Sequence, residues 1–240
     1  MTAGTLVSIA ETWYVGYLGT MSLAGIALVF PCIMLQQMLS AGSMGGGISS
    51  AVSRALGAND LGKANALVLH AALICLGMGL FFTFVFIVWG EPIFRLLGGQ
   101  GEALVQSLAY ANVAFWGAAS VWLTNGFASV IRGSGNMKTP SLVLLIACVA
   151  QVTLSGVLGL GWGPIPSFGM AGIAMGYVIA FTASTLYLFA YLRSSRSMLR
   201  LSFKSPLSKP LFMDILKVGT MSSLSTLQTV ATILILTRLI

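Results

Sequence analysis

Residues 139–192, which lie between Lys138 and Arg193, form a run of 54 side chains with no Asp, Glu, Lys, Arg or His. A soluble domain does not hold such a stretch, because about a quarter of the residues in an ordinary globular protein are charged. A membrane does: its hydrocarbon core, about 30 Å thick, takes about 20 apolar residues for each helical crossing. The run is too long for one crossing, and Gly161-Trp162-Gly163-Pro164-Ile165-Pro166-Ser167-Phe168-Gly169 divides it into two. The same reading of charge-free intervals places helices at residues 2–18, from Ser22 to Ser53, between Lys63 and Glu91, between Glu102 and Arg132, and from near Lys217 to Ile240, seven in all. The expected fold is an all-α membrane protein, a polytopic bundle of about seven transmembrane helices. Residues 1–192 form a six-helix lobe, 193–213 a basic connecting loop, and 214–240 the first helix of a second, truncated lobe. The first helix opens directly at Met1 with no basic residue ahead of it, so no cleaved signal peptide is expected and upstream sequence is expected to be missing.

A net charge of +7 would point to nucleic acid in a soluble chain. Here ten of the 12 basic residues lie in the second, fourth and sixth connections: Arg54, Lys63, Arg132, Lys138, Arg193, Arg196, Arg200, Lys204, Lys209 and Lys217. Lysine and arginine concentrate on the cytoplasmic side, so the even connections and the N-terminus are expected inside the cell, in a multi-pass protein of the inner or plasma membrane. The basic sixth connection also suits anionic lipid headgroups, although topology alone accounts for it. Cys32, Cys75 and Cys148 sit in separate apolar segments, with no CxxC pair and no histidine near them, which favours neither a disulfide framework nor a metal site. Pro31 is expected to kink the second helix. Gly42 and Gly46, one turn apart, are expected to let helices approach closely. No strand precedes these glycines and no Lys-Ser/Thr comes after them, so they are not a phosphate loop.

Glu11 is the one acidic residue inside an apolar segment, directly after Leu6-Val7-Ser8-Ile9-Ala10. Asp60, Glu91, Glu102 and Asp214 lie at helix ends or in loops. A carboxylate in hydrocarbon costs about 3 kcal/mol on insertion scales, so Glu11 is expected to face a polar cavity or a partner. A second reading stays open, in which Glu11 lies at the membrane interface near Tyr14 and Gly16 and is merely solvated. His70, the single histidine, is open in the same way, to a proton relay or to an interfacial position near Lys63. Asp60 either forms a loop ion pair with Arg54 or serves as a hinge cap, and is not expected to contact substrate. Residues 225–232 align without gaps to residues 4–11, with Thr232 opposite Glu11, a pattern that either duplication or chance produces.

Four stretches together resemble the multidrug and toxic compound extrusion (MATE) family of cation-coupled exporters. They are Glu11-Thr12-Trp13-Tyr14-Val15-Gly16-Tyr17-Leu18-Gly19, where the family has Asp at the first position; Ser53-Arg54-Ala55-Leu56-Gly57-Ala58-Asn59-Asp60; Arg132-Gly133-Ser134-Gly135-Asn136-Met137-Lys138-Thr139-Pro140; and Phe168-Gly169-Met170-Ala171-Gly172-Ile173-Ala174. The resemblance implies twelve helices in two lobes of six, with a cation site inside the first lobe. In relatives that site joins the first-helix carboxylate to an Asn and an Asp one turn apart on the fifth helix. Here Gln151 and Ser155 occupy those places, so the second carboxylate is missing and proton coupling becomes simpler than a Na+ site. Tyr110 and Asn125 on the fourth helix look like the family's polar residues near that site, and Tyr177 on the sixth stands where the family often has Thr; all three are open to a second reading as ordinary interhelical hydrogen-bonding groups.

The expected function is half of a secondary exporter, in which H+ or Na+ entry drives amphipathic, often cationic, small molecules outward, with no further cofactor. Its partners would be that substrate, membrane lipid, and a missing C-terminal lobe or a second copy, with no nucleic acid. The 12 methionines suit adaptable recognition. An intramembrane hydrolase would need a metal motif, a Ser-His pair or two converging acids, and a retinal photoreceptor a mid-helix lysine where Lys217 lies at a helix start. A flippase for lipid-linked oligosaccharides and an inactive truncated product are the alternatives.

Overall fold

The computed structural model describes residues 2–162, 166–202 and 207–239, and among them every regular element is a helix. Seven rods succeed one another. The first, α1 (Thr2–Leu18), stops where Gly19 takes a left-handed φ of 112°, and α2 (Thr20–Gly57) starts at once. After it come α3 (Leu61–Leu96), then α4 (residues 101–133, interrupted at Gly117), α5 (Lys138–Leu160), α6 (Gly169–Arg193) and α7 (Lys209–Leu239). Of these, α2, α3, α5 and α6 are each long and apolar enough, unbroken, to cross a membrane. The interruption in α4 does not divide it. Gly117 N–H still donates to the Val113 carbonyl at 3.4 Å and Val121 N–H to the Gly117 carbonyl at 3.3 Å. Both halves lie along α3, Phe115 stacked on Phe86 in one and Trp122 against Phe82 in the other.

The rods pack as a lobe. α5 lies against α6, α4 against α3 and α6, and the first half of α4 against α2; α1 rests on α5, and α7 on the middle of α2. Trp122, Phe94, Phe115 and Ile131 fill the interior, whereas Leu80, Phe81, Phe84 and Trp89 of α3 and Leu142, Leu145, Ile146 and Val149 of α5 face outward, as surfaces bathed in lipid do.

Two sequence expectations change here. α2 continues without interruption past Pro31, and its hydrogen-bond pattern alters at Met38–Met44, a π-helical stretch in which the ladder skips a residue. That change rotates the rest of α2, so Gly42 and Gly46 face open space while Gly45 and Gly47 make the close contacts. A Cβ on Gly47 would lie 2.7 Å from the Ile215 carbonyl of α7, and the Ser43 and Thr226 hydroxyls hydrogen-bond at 2.8 Å beside it. Finally, α7 begins at Lys209, well ahead of Lys217, because Pro210 sits comfortably in a first turn that has no use for its N–H.

Two loops set the helix positions. Asp60 caps α3 by accepting Lys63 N–H at 2.8 Å, which decides between its two readings; Arg54 turns away to the Asp214 carbonyl at 3.1 Å. In the loop before α5, the Asn136 side chain accepts Thr139 N–H at 3.1 Å and donates to the Tyr191 hydroxyl at 3.1 Å, fastening α5 to α6.

Candidate functional site

Glu11 faces inward from α1 onto α5. Gln151 Nε2 donates to Glu11 Oε1 at 2.8 Å and Ser155 Oγ reaches the same oxygen at 3.4 Å. The one-turn spacing of Gln151 and Ser155 puts both on the face of α5 that meets α1, and both are buried. Glu11 therefore has a partner on α5, as the sequence reading expects of a carboxylate in an apolar segment. Ser155 has a second claim on it, since its Oγ lies 2.9 Å from the Ile173 carbonyl of α6. A hydroxyl carries one proton, so the Ile173 carbonyl, at the shorter distance, and the Glu11 carboxylate compete for it. The closeness of α6 depends on Gly176, where a Cβ would sit 2.4 Å from the Ser155 nitrogen.

A second polar cluster joins α2, α4 and α6. Asn125 Nδ2 donates to Gln37 Oε1 at 3.1 Å and to Ser40 Oγ at 2.8 Å, while Gln37 Nε2 donates to the Tyr177 hydroxyl at 3.3 Å. Tyr177 is one turn beyond Ile173, so α6 carries contacts of both clusters on adjacent turns. Tyr110 and Tyr177 are buried. From Asn125 the bonds continue towards the basic end of the bundle: Ser129 Oγ donates to the Asn125 carbonyl at 2.7 Å and accepts from Arg132 Nη2 at 2.8 Å.

Five of the six candidate residues of the sequence therefore fall into two groups: Gln151 and Ser155 both reach Glu11, and Asn125 and Tyr177 are joined through Gln37. Tyr110, the sixth, is buried on α4. Sequence reasoning misses Gln37 and Ser40, although an amide inside an apolar span, immediately before the π-helical stretch, is a signal of the same kind as Glu11. Among the described residues no three of His, Cys, Asp and Glu converge on a point.

The family model MatE matches residues 1–157. The probable multidrug resistance protein YoeA of Bacillus subtilis is 27% identical over 215 residues, 87% of this chain and 46% of that protein. A FAD transporter of Shewanella oneidensis is 27% identical over 176 residues, 70% of this chain and 37% of that protein. Among solved structures, a MOP superfamily transporter from Pyrococcus furiosus superposes with a TM-score of 0.87 at 29% identity, over 95% of this chain and 50% of that one. The chain spans about half the length of the proteins it matches, or less.

Proposed function

The chain belongs to the MatE family, and from that premise we propose that residues 1–192 act as the first lobe of a secondary multidrug exporter in which Glu11 couples proton entry to efflux of amphipathic, often cationic, compounds. The observation that carries this reading is the Glu11 carboxylate held by Gln151 and Ser155 inside the bundle. Ionised, it offers a negative charge to a cationic substrate. Protonated, it loses that charge, turns from acceptor to donor, and changes the competition for Ser155 and through it the contact with α6. Proton and substrate are then rival occupants of one polar centre.

H+ is preferred over Na+ because the site meets its carboxylate with N–H and O–H donors. A Na+ site wants several oxygen ligands and compensating negative charge, and Ser155 stands where the family's second carboxylate would be. Among the relatives, one is named a probable multidrug resistance protein and another a FAD transporter; the Glu11 carboxylate, which suits a cationic ligand better than an anionic one, favours the drug-like class.

The function test is a comparison in an efflux-deficient host. Alternating access needs one bundle to rock against another, so residues 1–240 alone are expected to confer no drug resistance, and the same residues joined to a second six-helix lobe are expected to confer it. Resistance from residues 1–240 alone would instead mean that two copies rebuild the central cavity.

Orientation has its own test. The exposed Ser195, in the connection between α6 and α7, is expected on the cytoplasmic side. With Cys148 replaced by Ser, a Ser195→Cys thiol should escape membrane-impermeant reagents in intact cells and react after permeabilisation; labelling of intact cells would invert the topology.

A further inference from the structure

His70 is fully buried on α3 and takes no part in either polar cluster. Its Nδ1 lies 2.8 Å from the Ala66 carbonyl one turn back, and its Nε2 lies 3.1 Å from the backbone N–H of Ser208, in the connection that leads into α7. A carbonyl only accepts and a backbone N–H only donates. Both bonds are satisfied together by one species, the neutral imidazole with its proton on Nδ1.

The contacts around the ring have a common direction. Phe212 of α7 closes over it with ring centroids 4.5 Å apart, Lys63 of α3 pairs with Asp214 of α7 at 2.7 Å, and Asn65 of α3 accepts the Arg200 N–H at 2.7 Å. Each joins the basic end of the lobe to Arg200 or to the start of α7. The charged groups at this end of the packed elements are Asp60 and Lys63 at the start of α3, Arg54 and Arg132 at the ends of α2 and α4, Arg200 and Lys209 on either side of Ser208, and Asp214 and Lys217 on α7; Glu91, Arg95 and Glu102 lie at the opposite ends of α3 and α4. Of the two acids at this end, Asp60 is engaged in capping α3 and Asp214 is held by Lys63. A second proton on His70 would put an N–H donor against the Ser208 N–H in a buried place, with no free carboxylate to receive it.

We propose that His70 is a pH-operated latch: neutral, it holds the connection and the start of α7 against the lobe, and protonated, it lets them go. The latch regulates how firmly the element after the lobe is attached, and it stands or falls independently of Glu11.

Histidine occurs once in the chain, so isotopic labelling of histidine nitrogen reports on His70 alone. In the full chain in lipid nanodiscs, magnetic resonance should find the neutral ring protonated on Nδ1. On acidification, uptake of the second proton should coincide with loss of the Ser208 amide's exchange protection, corrected for the intrinsic pH dependence of exchange. A neutral ring protonated on Nε2, or Ser208 protection that outlasts the second protonation, would overturn the proposal. His70→Gln supplies a donor and an acceptor that do not titrate, so its Ser208 protection should stay constant over the same range; a fall parallel to that of the parent protein would likewise overturn it.

Discussion

Replacing Glu11 by Gln is expected to reduce gradient-driven efflux to background in a two-lobed transporter that carries these residues as its first lobe, while the protein still reaches the membrane. Glutamine is close to glutamate in shape and is uncharged, so the helix becomes cheaper to bury, by up to about 3 kcal/mol on insertion scales. Its amide can still meet Gln151 and Ser155, which keeps α1 on α5. What it cannot do is take up or release a proton. Dye efflux from loaded cells, normalised to the amount of protein in the membrane, reads this directly. Efflux equal to that of the parent would remove Glu11 from the mechanism.

The second large effect is expected from Asn125→Leu. Asn125 is 3% exposed and makes two interhelical bonds, to Gln37 and Ser40. Hydrogen bonds between membrane helices average about 0.6 kcal/mol, so the two bonds alone are worth about 1 kcal/mol. Leucine also strands the Gln37 carbonyl oxygen inside the bundle, and an unsatisfied buried group costs about 1–3 kcal/mol. The orphaned amide is therefore the larger effect. A stability loss of about 2 kcal/mol should appear in thermal unfolding of the detergent-purified protein. Efflux should fall by about tenfold or more, the equivalent of about 1.4 kcal/mol, because Gln37 no longer holds Tyr177 in place. A variant as stable and as active as the parent would show that the cluster is incidental packing.

How much of this was legible in the chain depends on the range of the interaction. The rods were legible because a charge-free interval is a local property: the run between Lys138 and Arg193 demands two crossings wherever its neighbours lie. Glu11 was legible because one carboxylate in hydrocarbon needs a partner, and the resemblance pointed to Gln151 and Ser155, which the structure brings to it. The face presented by α2 was not legible. A π-helical stretch at Met38–Met44 leaves no mark in apolar periodicity, yet it decides that Gly45 and Gly47, and not Gly42 and Gly46, touch neighbouring helices. Gln37 escaped for a related reason: its role arises from Asn125 and Tyr177, far along the chain and on two other helices. His70 showed the same limit, since its partner Ser208 reaches it only through tertiary folding.

In the proposed mechanism proton and substrate compete for the polar centre built on Glu11. The direct measurement is proton release on addition of a cationic substrate to the purified two-lobed protein in weakly buffered, sodium-free solution. The expected result is release of a proton for each substrate molecule bound, unchanged when sodium is added and absent from the Glu11→Gln variant. Substrate binding without proton release, or release that persists in Glu11→Gln, would contradict the claim.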